Sequence, residues 1–103
     1  MVYMKYNKLV RDKIISIIQE SGENPTFHMA DDGEYWQKLK EKLTEETNEF
    51  FADESEEELA DIFEVLYAII AHKGFDKAAV EKIRQKKFAE RGGFKDKIIL
   101  DEA

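Results

Sequence analysis

Two amphipathic segments joined by a very short polar connection constrain the fold of this chain more than any other feature. Residues 33–52 carry apolar side chains at steps of three and four, the spacing of one helical face; these side chains are Trp36, Leu39, Leu43 and Phe50. Residues 56–73 are apolar over most of a helical circumference. Because only residues 53–55 separate the two segments, the sequence predicts an antiparallel helical hairpin.

Local signals mark where each helix of the hairpin begins. Asp31 is followed three residues later by Glu34, and Ser55 is followed three residues later by Glu58. This spacing is typical of a capping box, in which the first side chain accepts a hydrogen bond from a free backbone N–H of the first turn. The hydrophobic line of the first helix predicts that Lys38, Glu41, Lys42 and Glu45 face away from the core.

Two further helices are predicted outside the hairpin. The first spans about residues 9–20 and ends at Gly22, and the last begins after Asp76 and ends before Gly92. At 103 residues the chain has room for one domain, and a chain of this size buries a modest fraction of its surface. We therefore predict an all-α fold, a single compact helical bundle over residues 1–103, completed by pairing with a second copy.

Composition excludes several classes of function. The net charge of −7 argues against duplex nucleic acid or an anionic membrane as a partner. The absence of cysteine excludes disulfides, thiolate zinc sites and cysteine nucleophiles. No apolar run reaches the roughly 20 residues that span a bilayer, and residues 1–10 lack the apolar centre of a signal peptide. These features indicate a cytoplasmic protein.

Acidic residues are concentrated in the hairpin. Eleven acids and one base occupy the stretch from Glu41 to Glu64, whereas both ends of the chain are basic. Within this stretch two pairs have helical spacing of three and therefore share a face; the pairs are Glu46 with Glu49 and Glu58 with Asp61. A rise of roughly 1.5 Å per residue brings the pairs opposite one another across the hairpin. Hard oxygen ligands without His or Cys favour Mg²⁺, Mn²⁺ or Ca²⁺ over zinc, and we predict Mg²⁺, with Mn²⁺ as a possible substitute.

Two of these acids stand where an apolar residue is expected. Glu46 continues the apolar line of its helix, and Asp61 lies within a largely apolar helix, so an unpaired charge at either position is costly. Each acid also has a structural interpretation. Glu58 serves as a capping glutamate, Glu49 as a solvated charge, and Glu64 belongs either to the cluster or to the outer surface. As a set they favour a metal site.

The same residues resemble a known family. The Glu-x-x-Glu pair followed by the Glu-x-x-Asp pair is similar to the motif of the MazG-like all-α nucleotide pyrophosphohydrolase superfamily. Residues 6–14 and 87–94 also resemble its phosphoribosyl-ATP pyrophosphohydrolase-like branch, so the likeness covers nearly the whole chain. Eight residues separate the two acid pairs, a shorter connection than in much of the superfamily.

The resemblance implies hydrolysis of a nucleoside triphosphate, or a related nucleotide, to the monophosphate and pyrophosphate, as part of nucleotide-pool house-cleaning. In that role all four acids hold Mg²⁺, and Glu46 or Glu49 accepts the proton of the attacking water. Four basic side chains are the candidates for substrate phosphate: Lys8, Arg11, Lys87 and Arg91. The last two follow the apolar side of the fourth helix, which suggests that they point inward, although basic residues near a helix end are also favoured by its dipole.

Two other functions fit parts of the sequence. A non-catalytic helical module that dimerises or binds a protein explains the broadly apolar second helix of the hairpin, but it leaves Glu46 on the apolar line unexplained. Phosphoribosyl-ATP itself is an alternative substrate for the enzymatic hypothesis.

Overall fold

A computed structural model describes residues 4–103, and within that range the regular secondary structure is entirely α-helical. Four helices follow one another along the chain: α1 (Ile14–Glu20), α2 (Asp32–Ala52), α3 (Glu56–His72) and α4 (Lys77–Arg91). The predicted all-α fold is confirmed. The two helices of the hairpin begin and end within one residue of the positions that the sequence predicts.

Helix α1 is shorter than predicted. The predicted start at Leu9 is wrong, because the helix begins at Ile14 and its N-cap residue, Lys13, makes no side-chain capping hydrogen bond. Leu9 and Val10 are half-buried in a segment without regular secondary structure, where they line a groove together with Leu39 of the hairpin. Their apolar side chains therefore line the groove beside the hairpin, and the apolar spacing of this segment does not reflect a helix.

The two starting signals of the hairpin are confirmed. The Asp31 carboxylate accepts a hydrogen bond from the backbone N–H of Glu34 at 2.8 Å, and the Ser55 hydroxyl accepts one from the backbone N–H of Glu58 at 3.3 Å. Each bond satisfies a donor that the first turn of a helix leaves without a partner. The connection between α2 and α3 is therefore fixed at both sides, which sets the register of the hairpin.

The chain divides into two compact units, one that ends at Ile69 and one that covers Ile70–Ala103. The first contains α1, α2 and most of α3, with Leu39 and Val65 as its buried apolar residues. The second contains α4, which starts at an Asp76 cap and has no buried residue. The predicted metal ligands all belong to the first unit.

Helix α3 keeps a large apolar area at the surface. Leu59, Phe63, Leu66 and Tyr67 are each between 38% and 51% exposed. Such a contiguous set on one helix is a feature of interaction surfaces. None of the helices in the described range has the length and apolar character needed to cross a membrane.

Candidate metal centre

Three of the four predicted metal ligands meet in one layer of the hairpin. Glu46 of α2 and Glu58 and Asp61 of α3 each present a carboxylate oxygen, and these oxygens lie within 4.8 Å of one another. Oxygens at this separation can share one divalent cation, whose ligands lie about 2.0–2.6 Å from the metal. The helical spacing that suggested the cluster therefore produces it.

Glu46 is the buried member of the cluster, with 6% of its surface exposed. Its Oε1 lies 3.2 Å from Lys42 Nζ. Its Oε2 is buried and, within residues 4–103, accepts no hydrogen bond, and the same holds for Oε2 of Glu58. Buried carboxylate oxygens without a partner are costly. These two oxygens therefore fit the ligand set of a hard cation.

The electrostatics of the cluster lead to the same conclusion. Burial raises the pKa of Glu46 above its ordinary value, Lys42 opposes that rise, and the neighbouring Glu49 adds to it. Burial also raises the pKa of Glu58, and the charges of Asp61 and Glu46 raise it further. Loss of hydration is the larger cause of both raised pKa values, and repulsion by neighbouring acids adds to it. A divalent cation would relieve that repulsion.

Glu49, the fourth predicted ligand, flanks the other three. Its side chain is exposed, and it does not belong to the set of oxygens that lie mutually within 4.8 Å. Its carboxyl group is nevertheless close enough to raise the pKa of Glu46 and to lower that of Glu58. Glu49 therefore lies beside the three-carboxylate cluster and is not part of it.

Arg11 reaches the cluster from the irregular segment before α1. Its Nη2 donates to Asp61 Oδ1 at 2.8 Å. Of the two cations predicted near the front of the chain, Arg11 therefore contacts a predicted metal ligand. Lys8 lies beside the cluster instead, because its Nζ pairs with Glu45 Oε1 at 3.0 Å.

Lys42 is a site residue that the sequence did not reveal. Its predicted outward orientation is wrong, since its side chain is 16% exposed and its Nζ bridges Glu45 Oε2 at 3.0 Å and Glu46 Oε1 at 3.2 Å. Lys38 is also largely covered and donates to the backbone carbonyl of Asn7 at 2.8 Å. Long lysine side chains reach sideways from a polar position, so helical position alone does not fix where the ammonium lies. The spacing of four between Lys42 and Glu46 was the available signal.

A groove of about 390 Å³ adjoins the carboxylate layer within the first unit. Leu39, Val65 and Ala68 supply apolar lining, and Arg11 and Asp61 are among the polar residues that line it. Glu64 also lines the groove, but it is exposed and lies outside the three-carboxylate cluster. The layer thus borders a concave surface with both apolar and charged walls.

Lys87 and Arg91, the other two predicted phosphate ligands, lie on α4 in the second unit. Both are exposed. No residue of α4 is buried in the described range, and the inward orientation of both side chains stays a prediction. Their contact with substrate phosphate stays a prediction.

Comparison with known proteins gives one partial match. No protein-family model and no solved structure matches the chain. An uncharacterized protein of Mycolicibacterium smegmatis is 44% identical over 45 residues, which cover 44% of this chain and 46% of that protein. The matched part of the chain therefore spans less than half the length of this relative, whose name records no activity. The MazG-like resemblance and the function that it implies stay predictions.

Proposed function

We propose that this protein is a MazG-like nucleotide pyrophosphohydrolase that uses Mg²⁺, or Mn²⁺, to convert a nucleoside triphosphate or related nucleotide to the monophosphate and pyrophosphate. The proposal rests on the convergence of the Glu46, Glu58 and Asp61 carboxylates. Two oxygens of this cluster, Oε2 of Glu46 and Oε2 of Glu58, are buried and have no protein partner among the described residues. Carboxylate oxygens in this arrangement are available to a cation that prefers oxygen ligands.

The three converging carboxylates are the proposed metal ligands, with Glu49 as a fourth ligand or as the general base. When bound, the cation would neutralise charge on the phosphate oxygens and lower the pKa of the attacking water. Lys42 holds Oε1 of Glu46, which leaves Oε2 free of protein hydrogen bonds. The exposed Glu49 carboxyl beside Glu46 is suited to accept a proton from water.

The groove next to the carboxylates suits the rest of a nucleotide. Its apolar residues, Leu39, Val65 and Ala68, favour the sugar and base, and Arg11 stands where the groove meets the acids. The guanidinium group presents paired N–H donors that match phosphate oxygens. If the substrate phosphates bind between the metal ligands and Arg11, the nucleoside would therefore lie in the groove.

The test is pyrophosphate release from a panel of nucleotides, with Mg²⁺ and after its removal by a chelator. We expect turnover of at least one nucleoside triphosphate that requires the metal, and release of monophosphate and pyrophosphate in equal amounts. Phosphoribosyl-ATP belongs in the panel, because preferential turnover of that compound would identify it as the substrate. Failure to turn over any member at any metal concentration would contradict the proposal.

A second candidate function is a helical module that binds a protein or a second copy of itself without catalysis. The exposed apolar residues of α3 favour it, and they also support homodimerisation of the proposed enzyme. The two functions differ in their response to Mg²⁺. A dimer that neither binds the metal nor hydrolyses nucleotides would favour the module, and metal-dependent turnover would favour the enzyme.

A further inference from the structure

Two cations contact the carboxylate layer, and they are held in different ways. Lys42 belongs to the same helix as Glu46, is 16% exposed and bridges two carboxylates. Arg11 belongs to a segment without regular secondary structure, is 57% exposed and reaches Asp61 across 50 positions of sequence. Lys42 is therefore the more enclosed of the two cations and has two carboxylate partners, whereas Arg11 is exposed and has one.

Arg11 contacts the carboxylate group of Asp61, which the proposed metal also needs. Its Nη2 lies 2.8 Å from Asp61 Oδ1, and Asp61 contributes a carboxylate to the cluster. A divalent cation and a guanidinium group at this position repel each other and compete for the negative charge of Asp61. Exposed ion pairs of this kind are weak, so a cation that gains three carboxylates can displace the arginine.

We propose that Arg11 is an exchangeable counter-ion, which neutralises Asp61 while the site lacks its metal and moves to substrate phosphate once the metal is bound. This inference rests on the proposed function and adds an order of events to it. Arginine suits both partners, because its planar donors match a carboxylate and a phosphate equally well. Arg11 and Asp61 line the same groove, so the exchange needs only a short movement.

The exchange predicts opposite effects on two ligands when Arg11 is replaced. In Arg11→Gln, Asp61 loses its competing cation, so the metal should bind more tightly. The nucleotide should bind more weakly, because its phosphate loses a charged donor. An arginine that only stabilised the fold, or only oriented Asp61 for the metal, would weaken metal binding when removed.

The experiment measures Mn²⁺ binding by titration calorimetry without nucleotide, and the KM for the nucleotide at saturating metal. We expect Arg11→Gln to bind Mn²⁺ about two- to fivefold more tightly and to raise KM about tenfold. Arg84→Gln is the matched control, because Arg84 forms a similar surface pair with Glu81 at 2.7 Å and is 62% exposed. It should leave both quantities unchanged.

Arg11→Lys tests the inference if the glutamine variant does not fold. It keeps the charge and loses the paired donors, so it should bind Mn²⁺ with about wild-type affinity while KM still rises. Unchanged or weaker Mn²⁺ binding by folded Arg11→Gln would overturn the inference and leave the proposed function standing, provided that the wild type binds metal and hydrolyses nucleotide. A wild type that does neither would overturn both.

Discussion

The acids of the hairpin form two groups that the sequence does not distinguish by composition. The inner carboxylates, Glu46, Glu58 and Asp61, converge on one point. The outer acids, Glu54, Glu56 and Glu57, lie at or beside the start of α3 and are exposed. Position on the helix, and not the density of charge, decides which acids meet.

The neighbouring residues Glu57 and Glu58 show the contrast between an exposed acid and an acid of the cluster. Successive residues of a helix point about 100° apart, so Glu58 turns an oxygen into the hairpin while Glu57 faces water. Both residues carry the same carboxylate and occupy the first turn, where the helix dipole favours acids. Removing either carboxylate changes the charge of the helix by the same amount. A difference in activity or stability between variants at these two positions therefore comes from the carboxylate cluster.

The largest expected difference between the groups is in catalysis. Glu49→Gln and Asp61→Asn should each lower kcat/KM for the nucleotide about a hundredfold or more, because each removes a ligand or base that acts on the transition state. Glu57→Gln should stay within about twofold of the wild type, as expected for a surface charge. Steady-state pyrophosphate release measures all three, and full activity in both Glu49→Gln and Asp61→Asn would refute the assignment of the site.

Lysines that pair with a buried glutamate and with an exposed glutamate should contribute differently to the free energy of unfolding. Lys42 and Lys86 each pair with a glutamate four residues later, at 3.2 Å and 3.9 Å, but Lys86 is 77% exposed. Lys42→Gln should lower the free energy of unfolding by about 1–2 kcal/mol, because it leaves the buried Glu46 without its cation. Lys86→Gln should cost less than about 0.5 kcal/mol. Urea denaturation without metal measures both, and equal losses would show that burial of Glu46 has no energetic consequence.

The smallest expected effect is the pH dependence of the metal-free protein. Because the pKa of Glu46 is raised in the fold, the folded chain binds more protons than the unfolded chain above the ordinary glutamate pKa of about 4.3. The contribution of Glu46 to stability therefore falls as the pH rises through that range. Chelator-treated wild type should lose stability with pH more steeply than Glu46→Gln, and Glu57→Gln should follow the wild type. A steeper loss of stability with rising pH in Glu46→Gln than in the wild type would mean that the fold lowers the pKa of Glu46 and does not raise it.

Much of the hairpin was predictable because it depends on local chemistry. The capping side chains of Asp31 and Ser55 act within three residues, and the spacing of three within each acid pair acts within one helical turn. The short connection then leaves an antiparallel arrangement as the simplest way to pack the two helices. The convergence of Glu46 with Asp61 follows from these local facts alone.

Contacts outside the hairpin were harder to predict, because they depend on how long side chains and irregular segments pack. The pairing of Arg11 with Asp61 joins residues 50 positions apart, and no periodicity records such a distance. The hydrophobic pattern predicts that Lys42 faces outward, but helical position does not show where a flexible ammonium group ends. The apolar residues at positions 9 and 10 suggested a helix, although they pack without one.

The most direct test is the thermal unfolding of the wild type, Glu46→Ala and Glu57→Ala with and without Mg²⁺. A metal that binds the folded chain should raise the Tm of the wild type and of Glu57→Ala, by an amount that corresponds to about 2.7 kcal/mol at a hundred times the Kd. Glu46→Ala should show no such rise. A wild type whose Tm is indifferent to Mg²⁺ and Mn²⁺, or a Glu46→Ala variant that is stabilised as much as the wild type, would contradict a metal centre formed by the inner carboxylates.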